Sequence, residues 1–220
     1  MIIFMGLDKI TSHPGPFRPE AIVPLTSVPN LLTLSRILAI PVVVGTFYLS
    51  GDYARWLGCA LFAAAGFTDW LDGHVARRWE QQSELGRFLD PIADKLLVSA
   101  TLFMLTATDR LSARAILPAL VILCREILVS GLREYLAGLR VGMPVSRLAK
   151  WKTAIQMIAI GVLIVGDAGW HVIPVVAIGE TLLWVAALLT LVTGYDYLRL
   201  GLPHISQPPQ PSPRKTQRLA

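Results

Sequence analysis

Apolar residues in this chain come in long runs rather than short alternations, and the runs break at a few turn-forming points. A helix that crosses a bilayer takes about 20 mostly apolar residues. Six stretches meet that length, at roughly 30–50, 54–78, 86–108, 113–138, 147–166 and 170–198. The last is long enough to begin at the membrane surface. The breaks carry turn chemistry: Ser50-Gly51-Asp52, Gln81-Gln82-Ser83, Thr108-Asp109-Arg110, Gly142-Met143-Pro144 and Gly166-Asp167-Ala168-Gly169. The pattern predicts an all-α, polytopic membrane protein with six transmembrane helices in one domain, 29–199, both chain ends lying on one side. Residues 1–28 hold Pro14, Pro16, Pro19 and Pro24 and no apolar run long enough for a signal peptide, and are expected to form a cytoplasmic segment. Residues 200–220, rich in Pro, Gln and Arg, are expected to be a disordered cytoplasmic tail.

Composition agrees. Of the 220 residues 54% are hydrophobic and only 16% charged, against about 45–50% and 25% in soluble domains. That is too little charge to cover a soluble surface, which argues against a cytosolic enzyme, a disordered chain or a nucleic-acid binder. The net charge of +5 therefore reads as loop charge facing an anionic leaflet. One face collects Lys9, Arg18, Arg77, Arg78, Arg87, Arg133, Arg140, Arg147, Lys150, Lys152, Arg199, Arg214, Lys215 and Arg218; the other has Arg55, Arg110 and Arg114. The positive-inside rule puts the first face and both termini in the cytoplasm, with the chain in the cell (inner) membrane. Cys59 and Cys124 fall in apolar runs and read as small core residues, not a disulfide.

The informative polar stretch is FTDWLDGHVARRWEQQSELGRFLDPIADK, residues 67–95. Asp69 and Asp72 are three apart and share one helix face; Asp90 and Asp94 are four apart and share another. A short connection makes the two helices antiparallel neighbours, so the four carboxylates can converge. Four like charges near hydrocarbon repel and are costly, by a few kcal/mol each, unless cations neutralise them. Oxygen-only ligands point to Mg²⁺, Mn²⁺ or Ca²⁺. Four carboxylates suit two ions, the arrangement that clamps attacking and leaving oxygens in phosphoryl transfer. Gly73, Ala76 and Gly86 leave room for a ligand close to the backbone, Arg77 can fork onto a phosphate oxygen, and Asp94 is the candidate base. Buried Asp–Arg ion pairs, for instance Asp69 with Arg36, and a cation-coupled transporter are the competing readings.

The pattern Asp69-x-x-Asp72-Gly73-x-x-Ala76-Arg77, eight residues, Gly86-x-x-x-Asp90-x-x-x-Asp94 resembles the signature of the CDP-alcohol phosphatidyltransferases at every fixed position. The resemblance implies six helices around a cytoplasm-facing polar cavity and two divalent cations, Mg²⁺ or Mn²⁺. By the same resemblance Asp69, Asp72 and Asp90 are metal ligands, Asp94 is ligand and general base, Gly73, Arg77 and Ser83 line the CDP site, and the protein is a homodimer.

Other polar residues within the spans bear on the acceptor. Asn30, Thr33 and Arg36 are spaced by three on the first helix, the first two being placed with Ala76 and Gly86 at the CDP-diacylglycerol site. Arg125-Glu126 and Arg133-Glu134 lie on the fourth helix, with Glu126 and Arg133 two turns apart; Arg147, Lys150, Lys152 and Thr153 open the fifth. Arg36, Arg125, Arg133, Arg147, Lys150 and Lys152 can together form a cationic pocket for a phosphorylated acceptor. The alternatives are internal Arg–Glu pairs and ordinary juxtamembrane positives. Segments 29–41, 68–78, 86–100, 125–137 and 150–157 resemble the bacterial phosphatidylglycerophosphate synthases. This implies transfer of a phosphatidyl group from CDP-diacylglycerol to sn-glycerol 3-phosphate, with release of CMP. Cardiolipin synthases of the same fold, which take phosphatidylglycerol as acceptor, remain the alternative.

Overall fold

Uninterrupted apolar runs leave a backbone in hydrocarbon no hydrogen-bond partner but itself, and the helix satisfies it within one segment. A computed structural model of the chain describes residues 28–79, 84–139, 147–169 and 173–205, with side chains for 34–68, 89, 92–139, 148–169 and 173–203. Six α-helices stand among them: α1 (Val28–Thr46), α2 (Asp52–Trp79), α3 (Glu84–Ala107), α4 (Ala113–Gly138), α5 (Arg147–Val165) and α6 (Val175–Ile205). A single 3₁₀ turn, Gly166–Ala168, follows α5. The expected tail lies outside the described residues beyond Ile205, but its first residues are helical: α6 continues through Pro203 instead of ending at 198. A proline in the last turn removes only one terminal hydrogen bond, so the helix tolerates it. Residues 1–27 also lie outside the described residues.

Among the described residues three segments are long and apolar enough to cross a membrane: Ala113–Gly138, Leu148–Ala168 and Val175–Pro203; Leu34–Thr46 is a shorter apolar helix. The protein is an all-α membrane protein. Its surface says the same. Phe103 is 69% exposed and Ile127 66%, and Leu38 and Leu188 are exposed as well. Apolar side chains cover the outside of the helices as they fill the inside, where Val43, Phe62, Leu102, Leu105, Ile122, Ile160, Leu163 and Leu183 form one buried cluster. Such a surface suits hydrocarbon rather than water.

Helix α5 packs on α2, α3 and α6; α4 packs on α6 and α3; α1 packs on α2 and α3. Buried hydroxyls close onto their own helices, as Thr101 Oγ1 donates to Leu97 O (2.8 Å) and Thr106 Oγ1 to Leu102 O (2.9 Å). Cys59 is half-buried and Cys124 exposed, both free. Cys124 is therefore no core residue: on a helix apolar all round, hydropathy does not separate the packed face from the lipid face.

The connections after α1, α3 and α5 meet at one end of the bundle. Arg55 Nη1 and Arg110 Nη1 donate to Val165 O (3.5 Å) and Ile164 O (3.3 Å), and Trp56 Nε1 donates to Ala168 O (3.2 Å). Two basic side chains thus supply donors to the last carbonyls of α5, where the helix dipole favours positive charge. Gly166, at φ +50, turns the chain out of α5 in a left-handed conformation that favours glycine, with Arg55 Nη1 close by. Burial, then the neighbouring Arg55, draws the Arg110 guanidinium below its ordinary value, and Asp167 partly offsets this. The Ser112 N–H donates to Glu180 Oε1 (2.8 Å), so α6 caps the start of α4. Two of the three basic residues expected on the minority face, Arg55 and Arg110, thus act as helix clamps.

Candidate active site

The four signature aspartates sit on two helices that touch. Helix α2 runs unbroken through 69–77 and α3 through 86–94, and the two pack against each other. Asp69 and Asp72 thus keep one face of α2, and Asp90 and Asp94 one face of α3. The side chains of Asp69, Asp72, Ala76, Arg77 and Asp90, and any statement of what surrounds Gly73 and Gly86, lie outside the described residues, as do the side chains of Asn30, Thr33 and Arg147 and the whole of Ser83. Among the described residues no three acidic, His or Cys side chains gather into a metal site; Asp94 is the one member of the set described there. An all-carboxylate donor set on two packed helices fits hard divalent cations.

Asp94 is half-buried on α3 and opens on a cavity of about 1030 Å³. Arg125, Glu126, Arg133 and Glu134 of α4, Lys150, Lys152 and Thr153 of α5, and Tyr197 of α6 line the same cavity. The structure thus brings four of the six expected acceptor-site cations to one wall with Asp94. Arg36, only 1% exposed, is buried in α1 and is not among that wall's described residues.

The wall is organised around a carboxylate. Glu126 Oε1 accepts from Arg125 Nη1 (3.3 Å) on its own helix and from Lys152 Nζ across the bundle. Lys152 is only 4% exposed, so it is no ordinary juxtamembrane charge. Charges within a bilayer pair with one another or face a polar cavity, and these do both. One carboxylate between two cations leaves a net single positive charge; the exposed Arg133 and Lys150 add to it, and the exposed Glu134 takes one charge away. The internal Arg125–Glu126 pair therefore exists, and it is part of the cavity wall. Arg125 Nη2 also donates to Thr193 Oγ1 (2.8 Å), and its guanidinium carbon lies 5.7 Å from the centre of the Tyr197 ring. Beside Asp94 and Lys152, a small pocket of about 20 Å³ includes Gln156, whose Oε1 is buried without a hydrogen-bond partner among the protein groups; that volume holds one water.

Reasoning from the sequence did not single out Thr193, Tyr197 or Gln156 as site residues. The available signal was their polarity in otherwise apolar helices: Thr193 and Tyr197 are four apart on α6, and Lys152 and Gln156 four apart on α5.

A half-buried carboxylate faces a wall rich in basic side chains, next to packed helices carrying paired aspartates. Residues 26–192 match the sequence profile of the CDP-alcohol phosphatidyltransferases. The chain belongs to the CDP-alcohol phosphatidyltransferase family. It is 47% identical over 173 residues to the CDP-diacylglycerol–glycerol-3-phosphate 3-phosphatidyltransferase of Rickettsia bellii, covering 79% of this chain and 94% of that one. A protein of the same name from Cereibacter sphaeroides is 37% identical, covering 81% and 97%. The apo crystal structure of Mycobacterium tuberculosis phosphatidylinositol phosphate synthase superposes with a TM-score of 0.59 at 19% identity, covering 84% of this chain and 95% of that one. That likeness is one of fold. Membership of this family makes the protein a phosphatidyltransferase and removes the ground for a transporter.

Proposed function

We propose that this phosphatidyltransferase moves the phosphatidyl group of CDP-diacylglycerol to sn-glycerol 3-phosphate, giving phosphatidylglycerol phosphate and CMP. Its name-bearing relatives, 37–47% identical over about four-fifths of the chain, carry that activity in their names. The observation that supports a phosphorylated acceptor is the shared wall: Arg125, Arg133, Lys150 and Lys152 line one cavity with Asp94. A dianionic acceptor must be held close to a second phosphate, and positive charge offsets that repulsion.

Asp69, Asp72, Asp90 and Asp94 would hold two divalent cations, Mg²⁺ or Mn²⁺, which when bound would neutralise charge at the diphosphate and on the departing CMP. The chain's own groups do the rest. CDP-diacylglycerol lies with its acyl chains in the bilayer; Asn30, Thr33, Gly73, Ala76, Ser83 and Gly86 line its head group, and Arg77 holds its phosphates. The acceptor's phosphate docks on Arg125, Arg133, Lys150 and Lys152, with Arg147 at the start of α5 adding charge; Arg36, buried in α1, takes no part in this docking. Asp94 takes the proton of the primary hydroxyl. The oxygen attacks the phosphorus bearing diacylglycerol, the bond from that phosphorus to the bridging oxygen breaks, and CMP leaves with that oxygen. Most of the rate gain is positioning and electrostatic neutralisation. The enzyme works as a homodimer in the inner membrane, its site and both termini facing the cytoplasm.

The test is to supply purified protein in vesicles with CDP-diacylglycerol and a panel of alcohols, with and without Mg²⁺ or Mn²⁺, and to measure CMP. Release with glycerol 3-phosphate that stops on chelation is the expected result. Release driven by phosphatidylglycerol instead makes the protein a cardiolipin synthase. Release undiminished after divalent ions are stripped removes the two-cation centre.

A further inference from the structure

The structure assigns to α6 the aiming of Arg125. This rests on the reading that Arg125 binds the acceptor's phosphate, and it names the residues that hold the side chain ready to do so. Thr193 Oγ1 donates its own proton to Leu189 O at 2.8 Å, which leaves an oxygen lone pair to accept from Arg125 Nη2, also at 2.8 Å. One turn on, the Tyr197 ring lies beside the guanidinium. Between them, Gly194 is a notch for the arginine stem: a methyl group there would sit 3.1 Å from Arg125 Cγ and 3.2 Å from Nε. With Nη1 held by Glu126 at 3.3 Å, both terminal nitrogens are anchored while each keeps one N–H for a ligand in the cavity.

An arginine loses much rotamer freedom on binding, and a guanidinium fixed beforehand loses less when the anion arrives. Thr193 and Gly194 are accordingly positioning residues for the acceptor, and among the described residues neither lines the cavity itself. Removing a hydrogen bond to a charged group costs about 1.5–3 kcal/mol, so Thr193→Val should raise KM for glycerol 3-phosphate by roughly tenfold or more. KM for CDP-diacylglycerol should stay within about twofold. Thr193→Ser, which restores the oxygen, should return close to the unsubstituted enzyme. Gly194→Ala should raise the same KM independently, by displacing the stem. Thr181→Val serves as control: that exposed threonine on α6 bonds only its own helix, at Ala177 O, and its loss should change neither KM.

If Thr193→Val and Gly194→Ala raise both KM values equally, or lower kcat with KM for glycerol 3-phosphate unchanged, α6 does not aim Arg125. An equal loss in Thr193→Ser is also decisive against it. Should Thr193→Val fail to fold, Gly194→Ala and Thr193→Ser carry the comparison. An unsubstituted enzyme that releases no CMP with glycerol 3-phosphate overturns the proposed function itself, a result separate from these.

Discussion

Glu126→Gln should be the most damaging single change in the charged cluster, and adding Lys152→Met should recover part of the loss. Three charges are involved, with side-chain exposures of 10% for Arg125, 17% for Glu126 and 5% for Lys152. At 3.3 Å and an effective dielectric constant of about 20, the Arg125–Glu126 attraction is about 5 kcal/mol. Lys152 adds a second contact of similar size, and desolvation of all three groups offsets most of the total. Glutamine keeps the shape and an oxygen but leaves two buried cations facing each other. Removing one partner from such a pair costs about 3–5 kcal/mol. Lys152→Met alone leaves Arg125 and Glu126 neutralising each other and forfeits one charged hydrogen bond, about 1.5–3 kcal/mol. In the double variant the facing cations are gone, so its loss should fall short of the sum of the singles by at least about 1 kcal/mol. The assay is unfolding in mixed micelles, followed by far-UV circular dichroism, for the four proteins of the cycle. Additivity within about 0.5 kcal/mol, or a Glu126→Gln variant as stable as the parent, refutes the shared-carboxylate account.

Asp94→Asn should reduce CMP release by about 10²–10⁴-fold while CDP-diacylglycerol binding persists; ordinary turnover would remove Asp94 as the base. Arg133→Ala should raise KM for glycerol 3-phosphate several-fold more than KM for CDP-diacylglycerol, and equal effects on both would point to a structural role. Gly179→Ala should lower the unfolding free energy by about 1–3 kcal/mol, and with it the unfolding midpoint, because a methyl there would lie 2.7 Å from Cγ of the fully buried Leu163. Activity per folded molecule should be kept, and an unchanged midpoint would mean that α5 and α6 have slack the packing does not show.

The helices were legible because the bilayer imposes a length and an apolarity that any reader of the chain can see. Their ends were less so. The apolar run passes straight through Phe47-Tyr48-Leu49, yet α1 stops at Thr46, where the backbone changes to turn bonds from Phe47 N to Val44 O and Tyr48 N to Gly45 O. Likewise α6 begins at Val175, just after Pro174, whose missing N–H and fixed φ suit a helix start; residues 170–172 lie outside the described residues. Cys124 shows a deeper limit. In water an amphipathic stripe marks the core; in lipid both faces are apolar and the stripe disappears.

The chain by itself determined the number of helices, the pairing of aspartates on α2 and α3 and the supply of cations on α4 and α5, since each follows from local spacing along one segment. The family likewise followed from eight residues at fixed intervals. Folding in three dimensions decided which cations share a wall with Asp94, that one carboxylate, Glu126, holds two of them, and that Thr193, Gly194 and Tyr197 reach Arg125 from α6. Those contacts join residues 26 and 68 positions apart, on helices whose rotation about their own axes is set by packing and leaves no mark in an apolar sequence.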